Sequence, residues 1–349
     1  MVVVGADVHK RTHTFVAVNE VGRQLGQLTV SADGKGHAKA LRWARQTFPG
    51  ERKWGIEDCR HLSARLERDL LTGGESVVRV PPKLMAQTRA SARTRGKSDP
   101  IDALAVARAV LREPDLPVAA HDEVSRELKL LVDRREDLVG ERTRMINRFR
   151  WHLHELDPSL DPSKASLDRA KNRAALADQL TRFDGLVAEL ARDILADIDR
   201  LSQAINALET RISHRVEEQA EGLIGLPGCG ALTAAKIIGE TAGVDRFRSE
   251  ACYARHSGVA PIPVWSGNTA GRVRMSRSGN RQLNAALHRI AVTQIRLDGD
   301  GRRYYRKRLL AGDSSTEALR CLKRRLARVV YQTLKAQVQP AADLQPAAA

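Results

Sequence analysis

Four acidic residues in the first third of the chain stand where their carboxylates can converge. They are Asp7, Glu57, Asp99 and Asp102. Asp7 lies within an apolar run and Glu57 ends another, whereas Asp99 and Asp102 are three residues apart and share one face of a predicted helix. Two divalent cations about 4 Å apart would offset the repulsion in such a cluster and support phosphodiester cleavage. The four acids therefore predict a site for Mg²⁺ or Mn²⁺.

Structural explanations compete for some of these acids. Asp99 could cap the helix that it precedes, and Asp102 could be a first-turn acid favoured by the helix dipole. Asp58 competes with Glu57, but strand alternation puts only one of the two on a given face, and we choose Glu57. Asp7 has no such structural explanation, because the strand around it is otherwise apolar.

The first 115 residues predict the elements that would position these acids. Short β-rich runs alternate with helical periodicity in the order β-β-β-α-β-α-β-α-α. The strands are predicted at 2–8, 13–20, 24–30, 53–57 and 76–80, and the helices at 36–48, 61–72, 83–94 and 100–112. This order matches the ribonuclease H fold, a mixed sheet with helices. In that fold the first strand is central, the fourth lies beside it, and the last helix packs against the same edge.

The remainder is predicted to be mainly helical, so the fold class is α/β plus α. Two long helical stretches, 125–156 and 179–218, flank a polar segment at 157–168. The second stretch carries an apolar seam at coiled-coil spacing, formed by Ile194, Ile198, Leu201, Ile205, Leu208 and Ile212. Both an intramolecular hairpin and a dimerisation stalk fit this seam. We predict domains at 1–115, 116–220 and 221–336, with a basic helix at 316–334 and a disordered tail at 337–349.

Two motifs of the third part could contact nucleic acid. In LIGLPGCGALTAAKII a helical run breaks around Gly228 and Gly230 and resumes at once, as in a helix-hairpin-helix, whose free N–H groups can bind a phosphate. An ordinary interhelical turn is the alternative. Downstream, four serines lie among four arginines: Ser257, Ser266, Ser276 and Ser278 with Arg272, Arg274, Arg277 and Arg281. A serine beside cations can act as a nucleophile in phosphoryl transfer, although Ser-Gly is also a common turn dipeptide.

The overall charge suits a partner made of phosphates. The chain has 58 Lys and Arg against 42 Asp and Glu, a formal charge of +16, and nucleic acid is the leading candidate. The four cysteines form no C-x-x-C pair, which argues against a disulfide framework or a zinc ribbon. No apolar run reaches eighteen residues and no signal peptide is apparent, so we expect a cytoplasmic, nucleoid-associated protein without a membrane partner.

Several motifs together resemble the IS110 family of insertion-sequence transposases. The most specific are GADVHKRTH, GKSDPIDALAVARA, the LPGCG hairpin, and GVAPIPVWSGN followed by RMSRSGNRQL. The resemblance implies an N-terminal RuvC-like domain with Asp7, Glu57, Asp99 and Asp102 as metal ligands and a C-terminal domain with Ser266 as the nucleophile. Many relatives have a glycine shortly after the glutamate, where this chain has Asp58-Cys59-Arg60-His61, and a lysine at the position of Arg277.

The same resemblance implies partners. It predicts DNA at the element ends and at the target, a structured guide RNA that pairs with both, and assembly into dimers or tetramers with composite sites. Two other functions also fit the residues. A junction-resolving endonuclease would use the carboxylates alone, with Ser266 as a turn residue, and an architectural DNA-binding protein would need neither metal nor Asp7.

Overall fold

The computed structural model of the chain describes residues 1–57, 62–81, 84–85, 88, 98–113, 116, 118–120, 122–269, 271, 273–275 and 279–338. The chain divides into two compact units, one formed by residues 1–123 with 241–349 and the other by residues 124–240. Asp58, Cys59, Arg272, Ser276, Arg277 and Ser278 lie outside the described residues, as does the predicted tail from residue 339 onward.

A five-stranded mixed sheet begins the first unit. Its strands are β1 (Val2–Val8), β2 (Thr12–Val18), β3 (Gln24–Ser31), β4 (Arg52–Glu57) and β5 (Ser76–Val80). Their order in the sheet is β3-β2-β1-β4-β5. The first three form an antiparallel meander, and β4 pairs in parallel with both β1 and β5. The predicted ribonuclease H-type mixed sheet is confirmed, with β1 at its centre.

Three of the described helices pack on the two faces of this sheet. Helices α1 (Gly34–Thr47) and α2 (Ala64–Thr72) enclose one apolar core against Phe15 and Trp54, and α3 (Asp99–Arg112) encloses a second core on the other face. Alternation along the strands separates the two cores, because Val3 faces α3 whereas Val4 faces α1 and α2. Of the helix predicted at 83–94, only residues 84, 85 and 88 are described, and they are helical.

A stacked pair of histidines is buried on the face of the sheet opposite α3. The rings of His13 and His37 are nearly parallel with centroids 5.1 Å apart, and Nδ1 of His37 lies 2.6 Å from a carboxylate oxygen of Asp69. His13 Nδ1 and His37 Nε2 are buried without a hydrogen-bond partner. Burial, followed by the charge of His37, lowers the pKa of His13 to about 4.

We therefore expect acid to destabilise this unit before the carboxylates titrate. The pKa of His13 is 6.5 when unperturbed and about 4 in the fold. The neutral ring therefore makes its full contribution to the free energy of unfolding above pH 6.5, and this contribution is lost as the pH falls towards 4. The full effect is about 3 kcal/mol. Urea unfolding at pH 7.5 and pH 4.5 should show this loss in the wild type and a smaller one in His13→Gln. The exposed His214→Gln is the control, and an equal loss in His13→Gln would contradict the assignment.

The second unit is helical. It contains α4 (Glu123–Leu156), a short 3₁₀ helix (Lys164–Asp168), α5 (Ala170–Leu180), α6 (Leu186–Gln219), α7 (Glu221–Ile224) and α8 (Ala231–Thr241). The single helix predicted over 179–218 is wrong at its start. Helix α5 ends at Leu180 with Thr181 as its C-cap, and α6 begins at Leu186 after Gly185, an N-cap whose positive φ of 91° suits glycine.

The predicted apolar seam of α6 packs within this unit. Ile198, Leu201, Ile205 and Ile212 are buried in the monomer, and Leu201 and Ile205 share a cluster with Leu138 of α4. An intramolecular hairpin of α4 and α6 therefore accounts for the seam. Assembly into a homo-oligomer stays a prediction.

The C-terminal part of the first unit is mainly helical. It contains α9 (Glu250–His256), the short strands β6 (Pro261–Pro263) and β7 (Val273–Met275), α10 (Arg281–Arg296), α11 (Asp300–Leu310) and α12 (Ser315–Val338). The basic helix predicted at 316–334 lies within α12. Within the described ranges, no helix has both the length and the apolar character needed to span a membrane.

Candidate active site

Asp7 and Glu57 lie at the same edge of the sheet. Strands β1 and β4 are parallel neighbours, and their last registered pair is Ala6 with Ile56. The next residue on each strand is an acid, so Asp7 and Glu57 are level with each other, and strand alternation puts both on the face covered by α3. Asp7 is 7% exposed and Glu57 is half-buried.

Two paired glycines bring α3 directly onto this face. Gly5 and Gly55 are opposite each other in β1 and β4. A Cβ atom at Gly5 would lie 2.1 Å from the carbonyl oxygen of Ala103, and one at Gly55 would lie 2.5 Å from a methyl group of Val110. The helix therefore rests on the strand backbones. This close approach brings the first turn of α3, which contains Asp99 and Asp102, to the edge where Asp7 lies.

A methyl group at Gly5 should disturb this arrangement. We expect Gly5→Ala to lower the free energy of unfolding by about 2–3 kcal/mol, because α3 must move away from β1. The same movement should reduce metal-dependent activity at the acidic edge by about tenfold or more. Gly140→Ala on α4 is the control, since a Cβ there meets only the end of the Arg144 side chain, 3.6 Å away. Wild-type stability and activity in Gly5→Ala would show that the contact is not needed.

The start of α3 explains the separate environments of its two acids. Ser98 is extended and occupies the N-cap position, so Asp99 is not the cap that the structural alternative assumed. Asp102 donates its backbone N–H to the carbonyl of Ser98 at 3.0 Å and is only 8% exposed, whereas the side chain of Asp99 is half exposed. The two acids of this turn therefore differ in how far solvent reaches them.

Three side chains converge at this edge closely enough to share a cation. Oxygens of Asp7 and Asp99 and a ring nitrogen of His9 all lie within 4.8 Å of one another. His9 Nε2 is 3.0 Å from Asp7 Oδ2 and 3.5 Å from Asp99 Oδ1. Glu57 and Asp102 lie at the same edge but outside this group of three. Sequence reasoning missed His9, although its spacing of two from Asp7 was a usable signal.

The electrostatics at Asp7 are those of a crowded acidic site. Its pKa is raised mainly by burial, then by the charges of Asp102 and Asp99, while the contact with His9 acts in the opposite direction. Asp7 therefore experiences the negative charge of both acids of α3. A hard divalent cation favours oxygen ligands and would relieve this repulsion. The donors present at this edge fit such an ion.

The predicted helix-hairpin-helix is formed in the second unit. Helix α7 ends at Ile224, Cys229 donates its N–H to the carbonyl of Leu226, and α8 begins at Ala231. Gly228 has a positive φ of 83°, which the tight turn requires. Helix α8 is fixed on α4 by two ion pairs, Lys129 with Glu240 and Glu136 with Lys236. Burial raises the pKa of Cys229 to about 12, so this thiol is inert.

Ser266 lies in the connection of an exposed two-stranded hairpin. Strands β6 and β7 pair from Pro261 with Met275 to Pro263 with Val273. Ser266 is exposed between Trp265, also exposed, and Gly267, whose φ is +49°. Arg274 on β7 and Arg281 at the start of α10 are exposed as well. Residues 261–268, 271, 273 and 274 are exposed or half-buried.

Ser257 has a structural role that separates it from Ser266. It is 0% exposed, and its hydroxyl donates to the carbonyl of Ala254 at 3.1 Å in the last turn of α9. A DNA phosphate has no access to a hydroxyl in this position. Of the four serines singled out in the sequence, Ser257 and Ser266 are described, and Ser266 alone of these two is accessible.

Helix α11 is a strongly positive surface. Its cations are Arg302, Arg303, Arg306, Lys307 and Arg308, and no residue of this helix is buried. Three of these cations pair with acids, namely Arg302, Arg303 and Arg308. Among the ion pairs of the described residues, none includes Arg306 or Lys307. Helices usually owe their stability to a packed face, so an unburied basic helix suits an anionic partner.

Comparisons with known proteins match both halves of the chain. Residues 4–158 match a sequence profile described as a transposase, and residues 220–306 match the profile of the transposase IS116/IS110/IS902 family. The chain is similar to the 44.8 kDa protein of insertion element IS116 of Streptomyces clavuligerus, with 28% identity over 95% of this chain and 94% of the relative. It is similar to the 42 kDa protein of IS900 of Mycobacterium paratuberculosis, with 27% identity over 95% of each.

A third relative is a transposase by name. The transposase for insertion sequence element IS1111A of Coxiella burnetii is 22% identical over 69% of this chain and 67% of the relative. The sheet order and its acidic edge define a ribonuclease H-type protein with a candidate divalent-metal site. The chain belongs to the IS110 family of transposases, and it is a DNA transposase.

Proposed function

We propose that this transposase cuts DNA at insertion-sequence ends and at the target and rejoins the strands. Asp7, Glu57, Asp99 and Asp102 hold the divalent metal, Mg²⁺ or Mn²⁺, and Ser266 is the nucleophile. The observation that carries this proposal is the acidic sheet edge, where Asp7, His9 and Asp99 offer ligand atoms within 4.8 Å of one another. Domain 1–115 carries this site, 116–220 is a helical linker, and 221–336 carries the serine.

The residues of the acidic edge differ in how deeply they are buried and in how far solvent reaches them. Asp7 is fixed on the central strand and Asp102 in the first turn of α3, and both are largely buried. Asp99 and His9 are more exposed and face the solvent side, from which DNA must approach. Bound divalent metal would polarise the phosphodiester and stabilise the leaving oxygen. His9 Nε2, close to both carboxylates, orients them.

Ser266 supplies the covalent route that rejoining requires. Its oxygen attacks phosphorus and loses its proton, the bond from phosphorus to the leaving deoxyribose oxygen breaks, and that oxygen takes up a proton. The phosphoserine keeps the bond energy, so a DNA hydroxyl can later attack it and release the serine. Support comes from the exposed position of Ser266 beside Gly267, with Arg274 on the same hairpin to neutralise the phosphate.

Nucleic acid contacts are spread over both units in this proposal. The turn with Gly228 and Gly230 binds a DNA phosphate through backbone N–H groups. Cations of the serine region bind phosphates beside the reacting bond; they are Arg272, Arg274, Arg277 and Arg281. A structured guide RNA and DNA share the rest of the +16 charge. Assembly into a dimer or tetramer would let acidic and serine-bearing parts of different copies act together.

A cut-and-join assay tests the proposal. The full-length protein, with the RNA that co-purifies with it, is incubated with DNA carrying the element ends and a target. We expect recombined product with Mg²⁺ or Mn²⁺ and none with EDTA, and we expect sequencing of the RNA to yield one discrete structured species. Joining that survives complete chelation would contradict the metal site, and random RNA would contradict the guide.

A further inference from the structure

The hairpin that carries Ser266 is held at its base by backbone contacts. A two-stranded hairpin is marginally stable in water, and in this one residues 261–268, 271, 273 and 274 are exposed or half-buried. At the base, Gly258 and Gly279 touch backbone to backbone, since a Cβ on Gly279 would lie 2.2 Å from the Cα of Gly258. The N–H of Asn280 also donates to the carbonyl of His256 at 2.7 Å. These contacts therefore help to set the direction in which the hairpin leaves the helices.

One amide joins this base to the helices behind it. Asn284 on α10 donates from Nδ2 to the carbonyls of Ser257 and Gly258, each at 3.1 Å. Its Oδ1 accepts a hydrogen bond from Nζ of Lys323 on α12. Since lysine can only donate, it fixes which end of the amide faces the loop, and both donated bonds depend on that orientation.

Burial of the Lys323 ammonium group is energetically unfavourable for a residue with a purely structural role. Lys323 is 6% exposed, and none of the ion pairs among the described residues gives it a carboxylate partner. Burial, followed by the charge of Arg320, lowers the pKa of its ammonium group. An apolar side chain at this position would pack α12 against α10 without the cost of desolvating a cation. What the ammonium adds is the orientation of Asn284.

We propose that Lys323 and Asn284 are positioning residues that aim the Ser266 hairpin for attack on DNA. The buried ammonium fixes the amide, the amide fixes the carbonyls at residues 257 and 258, and these hold the start of the hairpin. This inference rests on the proposed role of Ser266 as the nucleophile. It assigns the two residues to the joining step and not to hydrolysis at the acidic edge.

Asn284→Asp is the sharpest test. A carboxylate still accepts from Lys323, now as an ion pair, but it cannot donate to the two carbonyls. We expect the melting temperature to stay within a few degrees of that of the wild type. The rate of joining should fall by about 100-fold, since a displacement of the reacting groups by about 1 Å lowers a rate by a factor of this order. Cleavage by hydrolysis should stay within about twofold. Asn280→Asp at the N-cap of the same helix is the matched control, because an Asp oxygen can still accept from the N–H groups of Gln282 and Leu283.

Lys323 is tested by a pair of variants. Lys323→Met should reduce joining by about tenfold or more, and Lys323→Arg, which keeps a donor, should restore part of it. Amide hydrogen exchange at residues 257–260 should be faster in Lys323→Met than in wild type, and this readout needs no activity. If Asn284→Asp lowers hydrolysis and joining equally, or if loop exchange and joining are unchanged in these variants, the positioning role is wrong.

The proposed role of Ser266 as the nucleophile can be tested separately from the positioning role. Joining by Ser266→Ala at the wild-type rate would remove the serine nucleophile and this inference with it. An inactive Ser266→Ala together with a fully active Asn284→Asp would overturn the positioning role alone.

Discussion

Replacing Asp7 or Asp102 by Asn should abolish DNA cleavage, by about 1000-fold or more, while the protein stays folded. The metal site needs charge rather than shape, and Asn removes one negative charge at nearly constant volume. Burial and neighbouring acids already raise the pKa of Asp7, so its replacement relieves repulsion and should leave stability unchanged or higher. Cleavage with Mg²⁺ and the melting temperature, measured on the same preparations, test both parts.

Asp33→Asn is the control for these variants, because the substitution preserves the structural role of the side chain. Asp33 is the N-cap of α1 and accepts the N–H of Gly36 at 2.8 Å, which an Asn side chain can also do. Asp33→Asn should therefore cleave at the wild-type rate. Cleavage within about tenfold of wild type in either Asp7→Asn or Asp102→Asn would remove that residue from the metal site.

Ser266→Ala should abolish strand joining and leave hydrolytic nicking at the acidic edge. Loss of the hydroxyl removes the covalent intermediate, and we expect joined product to fall by about 1000-fold or more. Ser257→Ala is the matched control from the same segment. Its hydroxyl is buried on the carbonyl of Ala254, so it should join normally at a stability cost of about 1 kcal/mol.

The same pair of variants separates the transposase chemistry from the other uses of this site. A structure-specific nuclease that used only the carboxylates would release nicked DNA at the same rate in Ser266→Ala as in the wild type, and neither protein would form joined product. Joining that persists in Ser266→Ala would show that a DNA hydroxyl attacks directly.

The sheet was predictable because its signals are local. Apolar alternation and short polar turns placed each of the five strands within two residues of its observed bounds, and the order of elements then implied the central position of β1. Asp7 stood out because an acid in an apolar strand breaks the local pattern. Its level position beside Glu57 followed from the parallel pairing.

Other features depend on contacts that no local pattern carries. Gly5 and Gly55 could each have marked a bulge or a weak strand, and only their pairing under α3 shows a close approach. The strands β6 and β7 are three residues each, and β6 contains two prolines, so alternation has nothing to act on. Lys323 and Asn284 are 39 residues apart on different helices. By contrast, the break before Gly185 had a local signal, because Asp184-Gly185 is a common turn pair within an otherwise helical stretch.

Identification of the protein–DNA adduct would decide whether Ser266 becomes joined to DNA. The full-length protein with its co-purified RNA and Mg²⁺ is trapped on suicide DNA, digested, and the nucleotide-bearing peptide is located by mass spectrometry. We expect a phosphodiester on Ser266 that forms in the wild type and is absent from Asp7→Asn and from chelated reactions. An adduct on Ser276 or Ser278, or no adduct in a reaction that still recombines, would contradict it.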